Sequence, residues 1–329
     1  MSDGEGRGRA VHDDERGGEL VEVVFRRPVL PRYERAHESA IAGQTDANVV
    51  IPAGEIEARI AASALSPGAR GLLRGLLRLG RPAVFPGGGV GVEYGALLKT
   101  AARPDYLLAH LAEAADHLRE RGADLLMVPG MSGYPVGAMY ALAAELPAVL
   151  LKKQAHDPAI DPPDYPPGSF VIPSYTGEGD VVMSADMAAV ADIVDAILTA
   201  QLAAQDGVEV PTLSLRVAGA DDIIDKATMS QAVSESALVV ARAAMAAFRR
   251  RYRDRTGDGR AMRESVATVA WVTPLLKGYN RPREHLRRIL GIEPFAGLTL
   301  SGVQLDPPAL GIEGVGVIAL THPAAADPA

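Results

Sequence analysis

Two adjacent carboxylates, Asp221 and Asp222, stand directly after an apolar segment with the composition of a strand, within TLSLRVAGADDIIDKATMSQ (Thr212–Gln231). A loop and a predicted helix follow them. In open parallel sheets, ligands bind beyond the carboxyl ends of the strands, and the free N–H groups at a helix N-terminus attract phosphate. At such an exposed strand end the pair could accept hydrogen bonds from ribose hydroxyls, directly or through Mg²⁺. Taken alone, the segment fits a turn better, because Asp-Asp pairs commonly begin loops and cap helices.

Two further segments carry groups suited to anions. In DLLMVPGMSGYPVGA (Asp124–Ala138) a predicted strand ends in a loop with Gly130 and Gly133, whose backbone amides could approach an anion closely. Lys152 and Lys153 follow the next apolar strand, where we expect both to face the same cleft as point-charge partners of phosphate. A tight turn and a solvated strand end are the alternatives, but three such strand ends together are more specific than any one.

The elements that position these residues alternate along the chain. The pattern predicts a parallel sheet with helices on both faces, an α/β fold with N- and C-terminal extensions. The main predicted helices are 104–121, 136–145, 187–205 and 228–253, and the main predicted strands are 124–128, 148–151, 211–217 and 268–272. Phe170 to Met183 predicts a hairpin with a glycine turn. We expect residues 1–20 to be disordered, 21–84 to be a mostly helical extension, 85–275 to be the core and 276–329 to be a C-terminal extension.

The order of these segments resembles the type I phosphoribosyltransferases, and specifically the adenine phosphoribosyltransferases. GVEYGALLKTAARPDYLLAHL is similar to the stretch before the family's first core strand, and DLLMVPGMSGYPVGAMYALAAELPAVLLKK is similar to its pyrophosphate loop, helix and lysine-bearing strand. SYTGEGDVVMSADMAA resembles the mobile catalytic hairpin, RVAGADDIIDKATMS the phosphoribosyl pyrophosphate motif, and VATVAWV the strand after it. The resemblance covers roughly residues 85–275.

The resemblance implies phosphoribosyl transfer from phosphoribosyl pyrophosphate to a small nitrogen-containing acceptor, with Mg²⁺ as cofactor. It implies that Asp221, Asp222 and Tyr175 act in catalysis and that the two aspartates bind the metal. Tyr175 is also expected to belong to a lid formed by Ser174–Gly179. The substrate-binding residues that it implies are Gly130, Met131, Ser132, Gly133, Lys152, Lys153, Asp225, Lys226, Ala227 and Thr228. We also expect a homodimer.

The chain departs from the family in its phosphate loops. Where the family has Thr-Gly-Gly-Thr after the acidic pair, this chain has Lys226-Ala227-Thr228-Met229, and Ser132 stands where the pyrophosphate loop usually has a cation. The predicted helix from Met187 is an insertion. A competing alignment places the acidic motif at VVMSAD, which ends at Asp186, but Asp221-Asp222 keeps both carboxylates and the following strand. These departures leave open a non-catalytic sensor of nucleotides or ribosyl phosphates, or a partner-binding subunit with a vestigial site.

Composition excludes several other classes of function. The net charge of −8 gives no reason to expect a nucleic-acid partner. The absence of cysteine excludes disulfides, thiolate metal sites and a cysteine nucleophile. The seven histidines have no spacing typical of a transition-metal site, and there is no Gly-x-Ser-x-Gly motif. Without a signal-peptide pattern or a run of about 18 apolar residues, we expect a cytoplasmic protein with no membrane span.

Overall fold

The computed structural model describes residues 50–84, 90–98, 103–160, 165–166, 168–173, 180–304 and 308–320. The predicted disordered tail, 1–20, lies outside these residues. The helices are α1 (Ile56–Ala62), α2 (Pro67–Leu79), α3 (Gly95–Leu98), α4 (Pro104–Glu120), α5 (Tyr134–Ala144), α6 (Met187–Ala204), α7 (Thr228–Thr256) and α8 (Pro282–Leu290). The strands are β1 (Val50–Ile51), β2 (Arg81–Val84), β3 (Val90–Glu93), β4 (Leu125–Pro129), β5 (Ala148–Ala155), β6 (Ser169–Pro173), β7 (Asp180–Ser184), β8 (Thr212–Ala220), β9 (Ile223–Ile224), β10 (Arg263–Lys277), β11 (Phe295–Gln304), β12 (Ala309–Ile312) and β13 (Gly316–Ala319).

The main sheet has the strand order β1-β13-β12-β11-β10-β8-β4-β5-β7-β6, with β9 added alongside β10. Its centre, from β11 to β5, is parallel, while the β12 and β13 strands and the β6–β7 hairpin pair antiparallel at the two sides. The antiparallel pairing of the two predicted strands is therefore confirmed, while the predicted glycine turn lies outside the described residues. The predicted α/β class, with a mostly parallel sheet between helices, is confirmed as well.

Each face of the sheet is covered by its own layer of helices. The buried residues of α6 and α7 pack with Leu125, Met127, Val149 and Leu151 on one face. Those of α2, α4 and α5 pack with Leu126 and Val128 on the other. Because β4 is buried on both faces, its sequence is a continuous apolar run rather than an alternating one.

Local signals account for several element boundaries. The Ser66 hydroxyl accepts a hydrogen bond from the Ala69 N–H, which caps α2 just before Pro67. Pro104 begins α4, and Gly122, with φ of 62°, follows its end. Residues 276–320 add α8 and three strands to the same sheet, and β1 pairs with β13 beside them.

One helix among the described residues, α6, is long and apolar enough to cross a membrane by length and composition alone, with a mean hydropathy of 1.6 and 33% of its residues buried. Asp192 and Asp195 interrupt its apolar sequence. Its buried residues pack in the core beside α7, and core helices commonly have this composition. The expectation of no membrane span stays a prediction.

Candidate functional site

The loop after β4 is drawn tightly against β5. The Gly130 N–H donates to the Leu151 carbonyl over 2.8 Å, and the Tyr134 hydroxyl donates to the same carbonyl over 2.7 Å. A Cβ on Gly130 would stand 2.6 Å from that carbonyl oxygen, so only glycine fits this approach. The peptide bond between Gly130 and Met131 is cis. Met131 is 70% exposed at the tip of the loop.

Asp221 and Asp222 lie between two strand segments. The Asp221 N–H donates to the Val272 carbonyl over 3.2 Å, and pairing with β10 resumes at Ile223 and Ile224. The carboxylates are buried, with 9% and 2% of their surface exposed. The expectation of an exposed strand end was therefore wrong, because pairing with β10 resumes beyond the two residues and the pair lies within the sheet and not at its end. Substitution of these residues can consequently affect stability as well as ligand binding.

The loop after β4 and the acidic pair form one site. The Ser132 hydroxyl donates to Asp222 Oδ1 over 3.2 Å. A Cβ on Gly133 would lie 2.9 Å from Asp221 Oδ1, so the loop backbone passes directly over that carboxylate. Within the pair, Asp221 Oδ1 accepts the N–H of Asp222 over 2.9 Å. An amide-bearing loop and two carboxylates thus meet at the carboxyl ends of neighbouring strands β4 and β8.

A hydroxyl that the sequence did not reveal also contacts Asp222. The Tyr94 hydroxyl, which precedes α3, donates to Asp222 Oδ2 over 3.1 Å in a buried setting. Each Asp222 oxygen therefore accepts a hydroxyl, one from Tyr94 and one from Ser132. Tyr94 lies in a stretch that resembles the family's segment before the first core strand, but nothing in its type or spacing linked it to the acidic pair.

Tyr140, which is close enough to Asp222 to feel its charge, forms a buried pair with His110. The Tyr140 oxygen is 2.6 Å from His110 Nε2. Burial, together with the negative charge of Asp222, raises the pKa of Tyr140 well above its ordinary value. Burial lowers the pKa of His110 to about 4, so its ring is neutral near pH 7. This pair is therefore uncharged and buried away from water.

The predicted phosphate loop leads from β9 into α7. Asp225 does not point freely at a ligand, because Lys277 Nζ donates to its Oδ2 over 2.8 Å and Asn280 Nδ2 donates to its Oδ1. Ala227 is left-handed, with φ of 62° and ψ of 11°, and no side chain caps the helix that begins at Thr228. The N–H groups of the first turn of α7 are thus without a side-chain cap at this end of the sheet.

The lysine pair does not lie where its sequence position suggested. β5 continues through Lys152 and Lys153, which pair with Ser184 and Met183 of β7. Because successive strand residues face opposite sides of a sheet, the two lysines cannot both face one cleft, and that expectation was wrong. Lys152 directly follows Leu151, whose carbonyl receives the loop, and it is exposed, while Lys153 is half-buried.

The remaining predicted residues are only partly placed. Tyr175 and the proposed lid Ser174–Gly179 lie outside the described residues. Asp186 accepts hydrogen bonds from the Ala188 and Ala189 N–H groups, so it caps α6. That contact gives Asp186 a structural explanation in place of the competing acidic motif.

Comparison with known proteins gave structural matches only. No protein-family model matches the chain, and no curated protein matches it. Among solved structures it is similar to adenine phosphoribosyltransferase from Thermoanaerobacter pseudethanolicus, at 14% identity and a TM-score of 0.40, over 68% of this chain and 97% of that one. The enzyme from Rhodothermus marinus matches at 15% identity and a TM-score of 0.41, over 70% and 98% of the two chains. The enzyme from Saccharomyces cerevisiae matches at 14% identity and a TM-score of 0.40, over 70% of this chain and 98% of that one.

These structures belong to the family that the sequence motifs resemble.

Proposed function

We propose that this chain transfers a 5-phosphoribosyl group from phosphoribosyl pyrophosphate, or a related ribosyl phosphate donor, to a nitrogen-containing acceptor. The observation that supports this most directly is the hydrogen bond between Ser132 and Asp222, 3.2 Å long, which joins the glycine loop to the acidic pair. A donor of this class carries a pyrophosphate next to a ribose diol. The two halves of the site match those two groups in kind and in proximity.

The proposed reaction breaks the bond between ribose C1 and pyrophosphate and forms a bond from C1 to the acceptor nitrogen, through an oxocarbenium-like state. The acceptor nitrogen loses its proton to solvent as the new bond forms. Asp221 and Asp222 accept hydrogen bonds from the ribose hydroxyls. The Gly130 N–H is bound by the Leu151 carbonyl, so the amides of Met131, Ser132 and Gly133 bind the departing pyrophosphate, and the first turn of α7 binds the 5′-phosphate. Catalysis then comes from positioning and charge, and no side chain acts as a nucleophile.

The residues of the site suit Mg²⁺ bound together with the donor. In the part of the chain that the structure describes, no group of three or more His, Cys, Asp or Glu could hold a metal. Two adjacent carboxylates, Asp221 and Asp222, are nevertheless the donor set that Mg²⁺ commonly uses when substrate phosphates complete its coordination. The ion would neutralise charge on the pyrophosphate.

One observation favours a second function, a sensor that binds a nucleotide or ribosyl phosphate without turnover. Asp222 is only 2% exposed, and both of its oxygens already accept hydroxyls. The side chain would have to exchange these contacts to act on a substrate. The retained carboxylates argue against a vestigial site in a partner-binding subunit.

Turnover separates the two functions. The protein is mixed with phosphoribosyl pyrophosphate, Mg²⁺ and a panel of nitrogen heterocycles and amines, and pyrophosphate release is measured beside calorimetry of donor binding. A transferase releases pyrophosphate with one acceptor, whereas a sensor binds the donor and releases none. If the protein neither binds the donor nor releases pyrophosphate, both functions are rejected.

Substitution then tests the site itself. Asp221→Asn/Asp222→Asn removes charge-assisted contacts worth about 1.5–3 kcal/mol each, so we expect a loss of donor affinity of about a hundredfold or more. Asp186→Asn is the matched control, since Asn caps a helix about as well as Asp and should leave binding intact. A thermal melt of each variant separates loss of fold from loss of binding. Unchanged donor affinity in the folded double variant would reject the site.

Other expectations stay predictions. These are the homodimer, the cytoplasmic location, the absence of nucleic-acid and membrane partners, and a role in specialised metabolism. The net charge of −8 supports the absence of a nucleic-acid partner.

A further inference from the structure

The loop between β9 and α7 contains a left-handed residue that is not glycine. Ala227 has φ of 62° and ψ of 11°. In this region a Cβ crowds the backbone, whereas glycine enters it freely. Ala227 is also 3% exposed, so the side chain is packed in the protein. A residue in this conformation persists only where its surroundings hold it there.

The end of β10 supplies contacts that hold this loop. Pairing of Ile223 with Leu275 and of Ile224 with Leu276 brings Lys277 alongside Asp225, the first residue of the loop. The ion pair between them is 2.8 Å long, and the Lys277 and Asp225 side chains are only 5% and 12% exposed.

A second contact comes from the turn after β10. Asn280 Nδ2 donates to Asp225 Oδ1, while Lys277 donates to Oδ2. Both oxygens of Asp225 are therefore bound by residues that lie more than fifty positions later in the chain. The loop is anchored two residues before Ala227.

We propose that Lys277 is a positioning residue, which holds Asp225 and thereby keeps Ala227 left-handed. Amides next to a left-handed residue form a concave donor group for an anion. Lys277 therefore keeps the amides after Ala227 directed at the 5′-phosphate, and this last step rests on the proposed function. An ion pair from the C-terminal part of the chain here replaces the glycines that would otherwise allow the loop conformation.

Rescue by glycine tests this role. The variants are Lys277→Met and Lys277→Met/Ala227→Gly. The readouts are amide hydrogen exchange at Gln231, whose N–H donates to the Ala227 carbonyl over 2.9 Å, and calorimetry with ribose 5-phosphate. Loss of the anchor should speed exchange and weaken binding by about tenfold, the factor that corresponds to the intrinsic cost of a left-handed residue. The added glycine should restore most of the slow exchange and most of the affinity, because glycine adopts the left-handed conformation without the steric cost of a Cβ.

The control places a glycine where no left-handed residue is relieved. Ala232 lies one turn into α7 and is 3% exposed. Lys277→Met/Ala232→Gly should therefore restore neither the slow amide exchange nor the affinity for ribose 5-phosphate. If Lys277→Met fails to fold, Asn280→Ala, which removes one of the two contacts with Asp225, is combined with the same glycines.

The outcomes distinguish this inference from the proposed function. Unchanged exchange in Lys277→Met, or equally fast exchange with and without the glycine at 227, overturns the positioning role. Recovery of exchange without recovery of affinity also overturns it, because Lys277 would then contact the ligand directly. Failure of the unaltered protein to bind ribose 5-phosphate counts against the proposed function, while the exchange data still decide the role of Lys277.

Discussion

The buried pair of His110 and Tyr140 should make the stability of the protein depend on pH within a defined window. Burial lowers the pKa of His110 from 6.5 to about 4 in the folded protein. The unfolded chain keeps the ordinary value. Between these two values the unfolded chain binds a proton that the folded chain excludes, so the free energy of unfolding falls as the pH falls. Above pH 6.5 the ring is neutral in both states and contributes no dependence.

The size of this effect follows from the gap between the two pKa values. A gap from 6.5 to about 4, at 1.36 kcal/mol per pKa unit, corresponds to a loss of about 3 kcal/mol that is complete below pH 4. By about pH 5 the loss should reach about 2 kcal/mol. The effect is large because His110 has no exposed surface through which water could stabilise the charged ring.

Urea denaturation at about pH 7, 6 and 5 measures this loss. The comparison protein is His110→Leu/Tyr140→Phe, which removes both partners of the 2.6 Å contact and leaves neither of them unsatisfied. His117 and His285, whose pKa values burial also lowers, contribute equally in both proteins. We expect the unaltered protein to lose about 2 kcal/mol more than the variant by pH 5. If the free energy of unfolding falls equally in the two proteins between pH 7 and pH 5, burial of neutral His110 does not cause the loss.

Two further predictions concern the site and the core. Lys152→Ala should weaken donor binding by about tenfold, because Lys152 follows the carbonyl that accepts the hydrogen bonds of the loop. Lys153→Ala should weaken donor binding less, since the two lysines face opposite sides of the sheet. Equal losses of affinity for the two variants in calorimetry would contradict this. Gly219→Ala should lower the free energy of unfolding by about 1–3 kcal/mol, because a Cβ there would come within 2.5 Å of the buried Trp271 ring. Gly259→Ala, whose Cβ would have no atom within 4 Å, is its control in urea denaturation. Equal free energies of unfolding for the two variants would show that the Trp271 ring moves to accommodate the added methyl group.

Local patterns were sufficient for the elements of the core. The apolar run after Asp124 predicted β4, and Pro104 with Gly122 predicted the bounds of α4 to within a residue or two. These predictions succeeded because capping, periodicity and burial on two faces depend on the types of residues that are close together in sequence.

The lysines show where local patterns fail. The apolar run ends at Leu151, so the strand was expected to end there. It continues to Ala155 because β7 pairs with residues 152–155, and that pairing brings together residues about thirty positions apart. Neither the composition nor the periodicity of the sequence near Lys152 indicates that β7, a strand distant in sequence, pairs with it.

At the site, local patterns predicted that two carboxylates, a glycine loop and a helix start follow strands of one sheet. They did not predict that Asp222 is buried and accepts a hydroxyl from Tyr94, 128 residues earlier in the chain, or that Lys277 binds Asp225 from 52 residues later. The physical reason is that strand order and register, which no local segment specifies, determine which distant side chains share one edge of the sheet.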